Sequence, residues 1–237
     1  MFWKNKPLVL RFVTCDRDAF AFAKPDKATK FFPNWWKELA KNHKNHEERD
    51  MTYCTGFVDL YKKSIIIPAW SHFSIEVGAD SYYSWKFIDG KSNATEHPPY
   101  QRGDFMPNDD YQHLKLHAPW LLECDEDDVF VSWQEPFYSN NIKGVRIASG
   151  IIEPKYMSAT NINMFFERTD KIRKYEFDIG YPLVQLIPLT EREFKIEHLL
   201  VSKEEFENRV PLKYQSKFAQ YDKGTKILKQ CPFGGDK

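Results

Sequence analysis

Apolar and polar side chains alternate with period two along much of this chain, the pattern of half-buried β-strands. Leu8, Leu10 and Phe12 alternate with Val9, Arg11 and Val13. Phe73, Ile75 and Val77 alternate with His72, Ser74 and Glu76. After a turn at 78–80, Tyr83, Trp85 and Phe87 share one side of the next run, as in a meander. Val129, Val131 and Trp133 point inward from VFVSW. The segment TGFVDLYKKSIIIP has strand composition, with a turn at Lys62 and Lys63.

Residues 147–189 are the most regular part. The pattern predicts a strand over 147–152, a second in NINMFFER with Ile162, Met164 and Phe166 on one face, and a third in KYEFDI with Tyr175, Phe177 and Ile179 together. PLVQLIPL is almost continuously apolar, which predicts a strand buried on both faces. Gln185 is its one polar side chain and, if buried, needs hydrogen-bond partners. FKIEHLLV adds a last strand, in which His198 reads as a satisfied sheet residue.

Two segments change period. Pro33 precedes NWWKELAKNHKNHEERD, which predicts a short helix near 34–46 with Trp35, Trp36, Leu39 and Ala40 as its apolar stripe. Ser202 and Glu205 form a capping-box pattern, which predicts helix over 203–221, interrupted at Pro211. The expected fold is mainly β: a single β-sandwich or β-clip-like domain of about ten strands. It divides into an N-terminal strand and helix (1–50), a sheet core (51–201) and a C-terminal helical segment and tail (202–237).

Composition refines this picture. Hydrophobic residues make up 42% of the 237 residues, enough for a sizeable core. Aromatics reach 16%, which suits a sheet-packed core or an aromatic interface. The 34 basic and 34 acidic residues cancel, which excludes a broad electrostatic footprint for nucleic acid and leaves little repulsion against association. The four cysteines lack C-x-x-C spacing and read as reduced thiols. The opening MFWKNKPLVLRF has no long apolar core of a signal peptide, and no run approaches the ~20 apolar residues of a membrane span. A soluble intracellular protein is expected.

Candidate chemistry is sparse. His97 opens a proline-rich loop, and His113, Lys115 and His117 share one strand face, so His97, His113 and His117 are the candidate metal ligands of a jelly-roll type metal enzyme. Spacing works against this reading. Residues four apart on a strand are separated by roughly 13 Å, with Lys115 between the imidazoles. A polar sheet face that titrates near neutral pH is the competing expectation. His43 and His46, with Glu47 beside them, read as a solvated helix end. The acidic run 125–128 lacks the alternating ligands of a calcium loop and reads as a solvated turn.

Two resemblances add expectations. GIIEPKY, a strand ending in MFF, and FDIGYPLVQLIPL together resemble the middle of the dUTPase-like β-clip enzymes, with a weaker echo in GFVDLYKKSIIIP. The resemblance implies a nucleoside-triphosphate pyrophosphatase using Mg. In it Glu153 orients the attacking water, Tyr156 packs on the deoxyribose and Gln185 lies near the phosphates. The chain departs from that pattern in three ways: Glu153 stands where the family has Asp, no Pro-Arg-Ser-Gly segment is present, and the tail CPFGGDK lacks the arginine and hydroxyl residues of the phosphate-binding arm.

Over most of its length the chain resembles a protein family of tailed phages of marine cyanobacteria, from which no activity carries over. FFPNWWK, GFVDLYKKSIIIPAWS, QRGDFMPNDDYQHLKLHAPW, NINMFF and PLVQLIPL carry that likeness. The favoured expectation is therefore a non-enzymatic, phage-encoded interaction or virion-associated structural protein of the host cytoplasm or virion. Its expected partners are other protein subunits, as a homo-oligomer or with virion proteins, and no membrane.

Overall fold

Strand β1 (Leu8–Thr14) buries Leu8, Leu10 and Phe12 completely, as its alternation requires, and lies between two neighbours. It pairs in parallel with β15 (Phe194–Leu200) and antiparallel with β8 (Leu121–Glu123). The structure is a computed structural model that describes residues 6–42, 50–97, 110–139, 142–155 and 157–210. Fifteen strands and four α-helices are found among these residues. The protein is mainly β, as its alternation predicts.

The strands fall into four hydrogen-bonded sheets rather than the two of a simple sandwich. β1, β8 and β15 form the first. The second has the order β11 (Gly150–Ile152), β9 (Val131–Gln134), β14 (Pro182–Pro188), β3 (Ile65–Pro68) and β2 (Asp26–Lys27). The third is β13 (Arg173–Phe177), β4 (Phe73–Val77) and β5 (Tyr83–Phe87). The fourth is β10 (Val145–Ile147), β12 (Ile162–Glu167), β7 (Tyr111–Leu116) and β6 (Ala94–Glu96). One contiguous apolar core joins them, with Phe12, Leu186, Phe177 and Met164 each supplied by a different sheet. Each buried leucine-sized side chain contributes roughly 1.5–3 kcal/mol of transfer free energy to that core.

Several expectations require correction. Residues 55–62 are helical, not extended: α3 (Thr55–Lys62) buries Phe57 and Tyr61, four residues apart on one helical face. Their aromatic composition resembles a strand, but their spacing is that of a helix. The predicted strand over 147–152 is two strands. β10 pairs with β12, and β11 pairs with β9 in another sheet. Periodicity records which face is buried and is silent on which sheet receives it. β13 ends at Phe177, and Ile179 is left exposed before Gly180, whose φ of +85° needs glycine. A short helix, α1 (Arg17–Phe22), occupies a stretch without clear periodicity; Asp16 caps it by accepting from the Asp18 and Ala19 amides.

The two predicted helices are present over the described residues. α2 (Asn34–Asn42) half-buries Trp35, Trp36, Leu39 and Ala40 on one face. α4 (Lys203–Arg209) starts where the capping box places it, with the Glu205 amide donating to Ser202 Oγ at 3.1 Å. His43, His46, Glu47 and the continuation past 210 lie outside the described residues.

The acidic run is more structured than a solvated turn. Asp125 pairs with Arg11, Glu126 with Arg192 at 2.6 Å, and Asp127 with Lys155 at 2.9 Å. Hydrogen bonding from Arg11 pulls the Asp125 carboxyl below its usual range, and Arg192 does the same for Glu126. Among the described residues, no helix is long and apolar enough to cross a membrane.

Candidate functional site

Of the residues implied by the dUTPase-like resemblance, Glu153 and Gln185 are placed apart. Gln185 is fully buried in β14. Its Nε2 donates to Ser64 Oγ at 2.7 Å, and its Oε1 accepts the Phe137 amide at 2.8 Å. The partners that a buried glutamine needs are therefore protein groups, and no oxygen of a phosphate can reach it there. Ile152, the residue before Glu153, lies three positions along β9 from Gln185 and on its far side. That separates them by about 10 Å along the strands and a similar distance across two strand spacings. The backbone carbonyl of Glu153 accepts the Met157 amide at 2.9 Å. Tyr156 lies outside the described residues. The stretch 147–189 threads β10 to β14 through three sheets, so sequence proximity there is not spatial proximity.

The histidines come together in an unexpected way. His113 projects from the face of β7 opposite the core and is nevertheless buried. Its ring stacks on His97 with centroids 4.7 Å apart and on Phe165 with centroids 4.4 Å apart. An ion bound by two imidazoles must lie in the plane of both rings, because the lone pairs do. The His97 and His113 planes are tilted by only 26°, so they meet well away from either ring. Among the described residues, no group of three or more His, Cys, Asp or Glu is placed to hold a metal ion.

His117 is at hydrogen-bond distance from Thr95, with Nε2 and Oγ1 3.1 Å apart. Burial, then Lys115, then His97 push its pKa below the ordinary 6.5. Burial pushes the Lys115 amine down as well. A base whose folded pKa is depressed binds its proton more readily when unfolded. Stability is therefore constant above the unfolded pKa and falls as pH drops below it. We expect the wild type to lose more thermal stability than His117→Gln between about pH 7 and pH 5. Parallel melting curves for the two proteins would contradict the assignment.

A different constellation is better built. α2, α3 and the 3-10 turn Ala28–Phe31 lay an aromatic cluster over the outer face of the second sheet, where Ile66 meets Phe57 and Tyr61. Phe32 stacks on Trp36 at 4.1 Å and on Tyr61 at 4.7 Å. Phe57 contacts Tyr61 at 4.9 Å and Tyr138 at 5.0 Å.

This cluster grips the loop after β9 by its backbone. Tyr61 Oη donates to the Phe137 carbonyl at 2.6 Å. Trp35 Nε1 donates to the Tyr138 carbonyl at 2.9 Å. Gln185 holds the Phe137 amide from beneath. Burial, with a smaller contribution from Tyr138, pushes the Tyr61 phenol up to about 12, so it remains a donor at all ordinary pH values.

Held in this way, Tyr138 adopts φ +57°, which is costly for a non-glycine residue and persists only where the surroundings enforce it. Phe137 and Tyr138 are 43% and 52% exposed. Met51 and Tyr53, just before α3, are also exposed. The sequence signals of this site are the aromatic load of NWWK and the burial requirement of Gln185. The loop EPFYS itself gives none beyond its turn residues. No protein-family model matches the sequence, and a search of curated proteins finds no match.

Proposed function

We propose that the protein is a non-enzymatic interaction protein, phage-encoded and assembling with other protein subunits in the host cytoplasm or the virion. One observation carries this reading: Phe137 and Tyr138 are left about half exposed on a strained loop whose backbone is fixed by three separate hydrogen bonds. Aromatic side chains presented in a fixed conformation lose little entropy on binding and dominate interface energetics. A balanced net charge also leaves association unopposed. The phage context rests on the sequence resemblance that runs from FFPNWWK to PLVQLIPL.

Size-exclusion chromatography with light scattering tests the proposal, together with analysis of purified particles. The wild type is expected in an assembly, as an oligomer or with virion proteins. The Phe137→Ala variant is expected to leave it while melting within about 1 kcal/mol of wild type, because Phe137 is exposed, whereas Tyr138 packs on Phe57. A strict monomer absent from particles would sink the reading. A thermal shift with a nucleoside triphosphate and Mg would instead favour nucleotide hydrolysis.

A further inference from the structure

The clamped loop divides two surface clefts of different character. On one side lies a cleft of about 520 Å³, lined by Lys30, Phe32, Pro33, Lys37, Tyr181 and Pro182 among others. Its described lining carries two lysines and no carboxylate. Lys30 is partly neutralised by Asp26, and Lys37 projects from the exposed side of α2. On the other side lies a cleft of about 290 Å³, lined by Glu135, Pro136, Phe137 and Tyr138, with no cation in its described lining. Ser139 lines the first cleft and Phe137 and Tyr138 the second, so the loop runs from one to the other.

From this arrangement we infer that the lysine-lined cleft binds an acidic, proline-containing, extended segment of a partner protein. The inference rests on the interaction reading above and specifies the partner's chemistry. Walls of aromatic and proline side chains suit a polyproline-type chain, whose backbone is already extended and has little conformational entropy to lose. The two lysines at this end select acidic residues by charge complementarity. A long polyanion fits less well. Single-stranded nucleic acid needs a basic track along its length, but the described lining of the cleft past Tyr138 holds no cation, and nearby Arg146 is paired with Glu135. The segment is acidic where it meets Lys30 and Lys37 and apolar or neutral where it crosses Phe137 and Tyr138.

The test is selection from a displayed library of random twelve-residue peptides. It is run against the full chain and against the Lys30→Glu/Lys37→Glu variant, with a labelled oligothymidylate as a separate probe. Peptides enriched on the wild type are expected to carry an excess of Asp, Glu and Pro and to bind the variant at least about tenfold more weakly. Lys37→Glu alone, which leaves the Lys30–Asp26 pair intact, is expected to show part of that loss. No enrichment, enrichment without an acidic excess, equal binding to both proteins, or tighter binding of oligothymidylate would each overturn the inference. Light scattering on the same samples separates the two readings. If assembly persists while no acidic peptide is selected, the interaction reading stands and the cleft assignment fails. If the wild type neither assembles nor associates with particles, the interaction reading itself fails.

Discussion

Replacing Phe57 with alanine is expected to destabilise the protein by about 3–5 kcal/mol, the usual cost of removing a buried aromatic side chain. For a chain of this length that is a fall of roughly 6–20 °C in Tm. The expectation follows from position. Phe57 is 3% exposed and meets Tyr61, Tyr138, Trp35, Trp36 and Phe32 with ring centroids between 4.9 and 6.2 Å. Truncation leaves a void that these rings cannot all close, because Tyr61 and Trp35 are also tied by hydrogen bonds to the loop. Calorimetry measures the effect directly. A loss below about 1 kcal/mol, the range of ordinary surface substitutions, would mean that the aromatic cluster is not packed on the sheet as described.

Gln185→Leu carries the second-largest expected effect. Leucine matches the volume but removes the acceptor of the Phe137 amide and the donor to Ser64. Ser64 keeps a partner, since its hydroxyl donates to the Leu60 carbonyl at 2.6 Å. The Phe137 amide does not, so the cost is that of one stranded donor plus a lost bond, about 2–3 kcal/mol, or roughly 4–12 °C. The informative readout is local. Hydrogen exchange at the Phe137 amide is expected to accelerate, and assembly to weaken, although Gln185 itself is fully buried. Unchanged exchange at Phe137 would show that the glutamine does not hold the loop.

These two positions also show where sequence reading stops. That Gln185 requires partners is legible from a polar side chain within an apolar run. Which partners it finds is not, because Ser64 and Phe137 are brought to it by sheet pairing and by the turn out of β9. The strands β1, β4, β5, β12 and β13 are legible because each has one face in the core and one toward polar surroundings. α3 is not, because its aromatic residues suit strands and only the four-residue spacing of Phe57 and Tyr61 indicates a helix. The His97–His113–Phe165 stack escapes a search for metal ligands since imidazoles pack face to face as readily as they coordinate. Clamping of the 136–139 loop is a tertiary property, set by α2, α3 and β14 together, and leaves no local pattern.

The parallel pairing of β1 with β15 has a consequence for how the protein is made. β1 is the middle strand of its sheet, yet one of its two neighbours is the last strand of the described chain. On the ribosome, Leu8, Leu10 and Phe12 emerge early, while the hydrogen bonds on that edge must wait until residue 200 has been synthesised. Closing so long a loop is entropically slow, and an unpaired apolar strand attracts other chains in the meantime. Completion of this sheet therefore waits until β15 has been made, long after β1. A nascent chain stalled before Phe194 should hold that edge of β1 open to chaperones, and the arrival of residues 194–200 is what closes it.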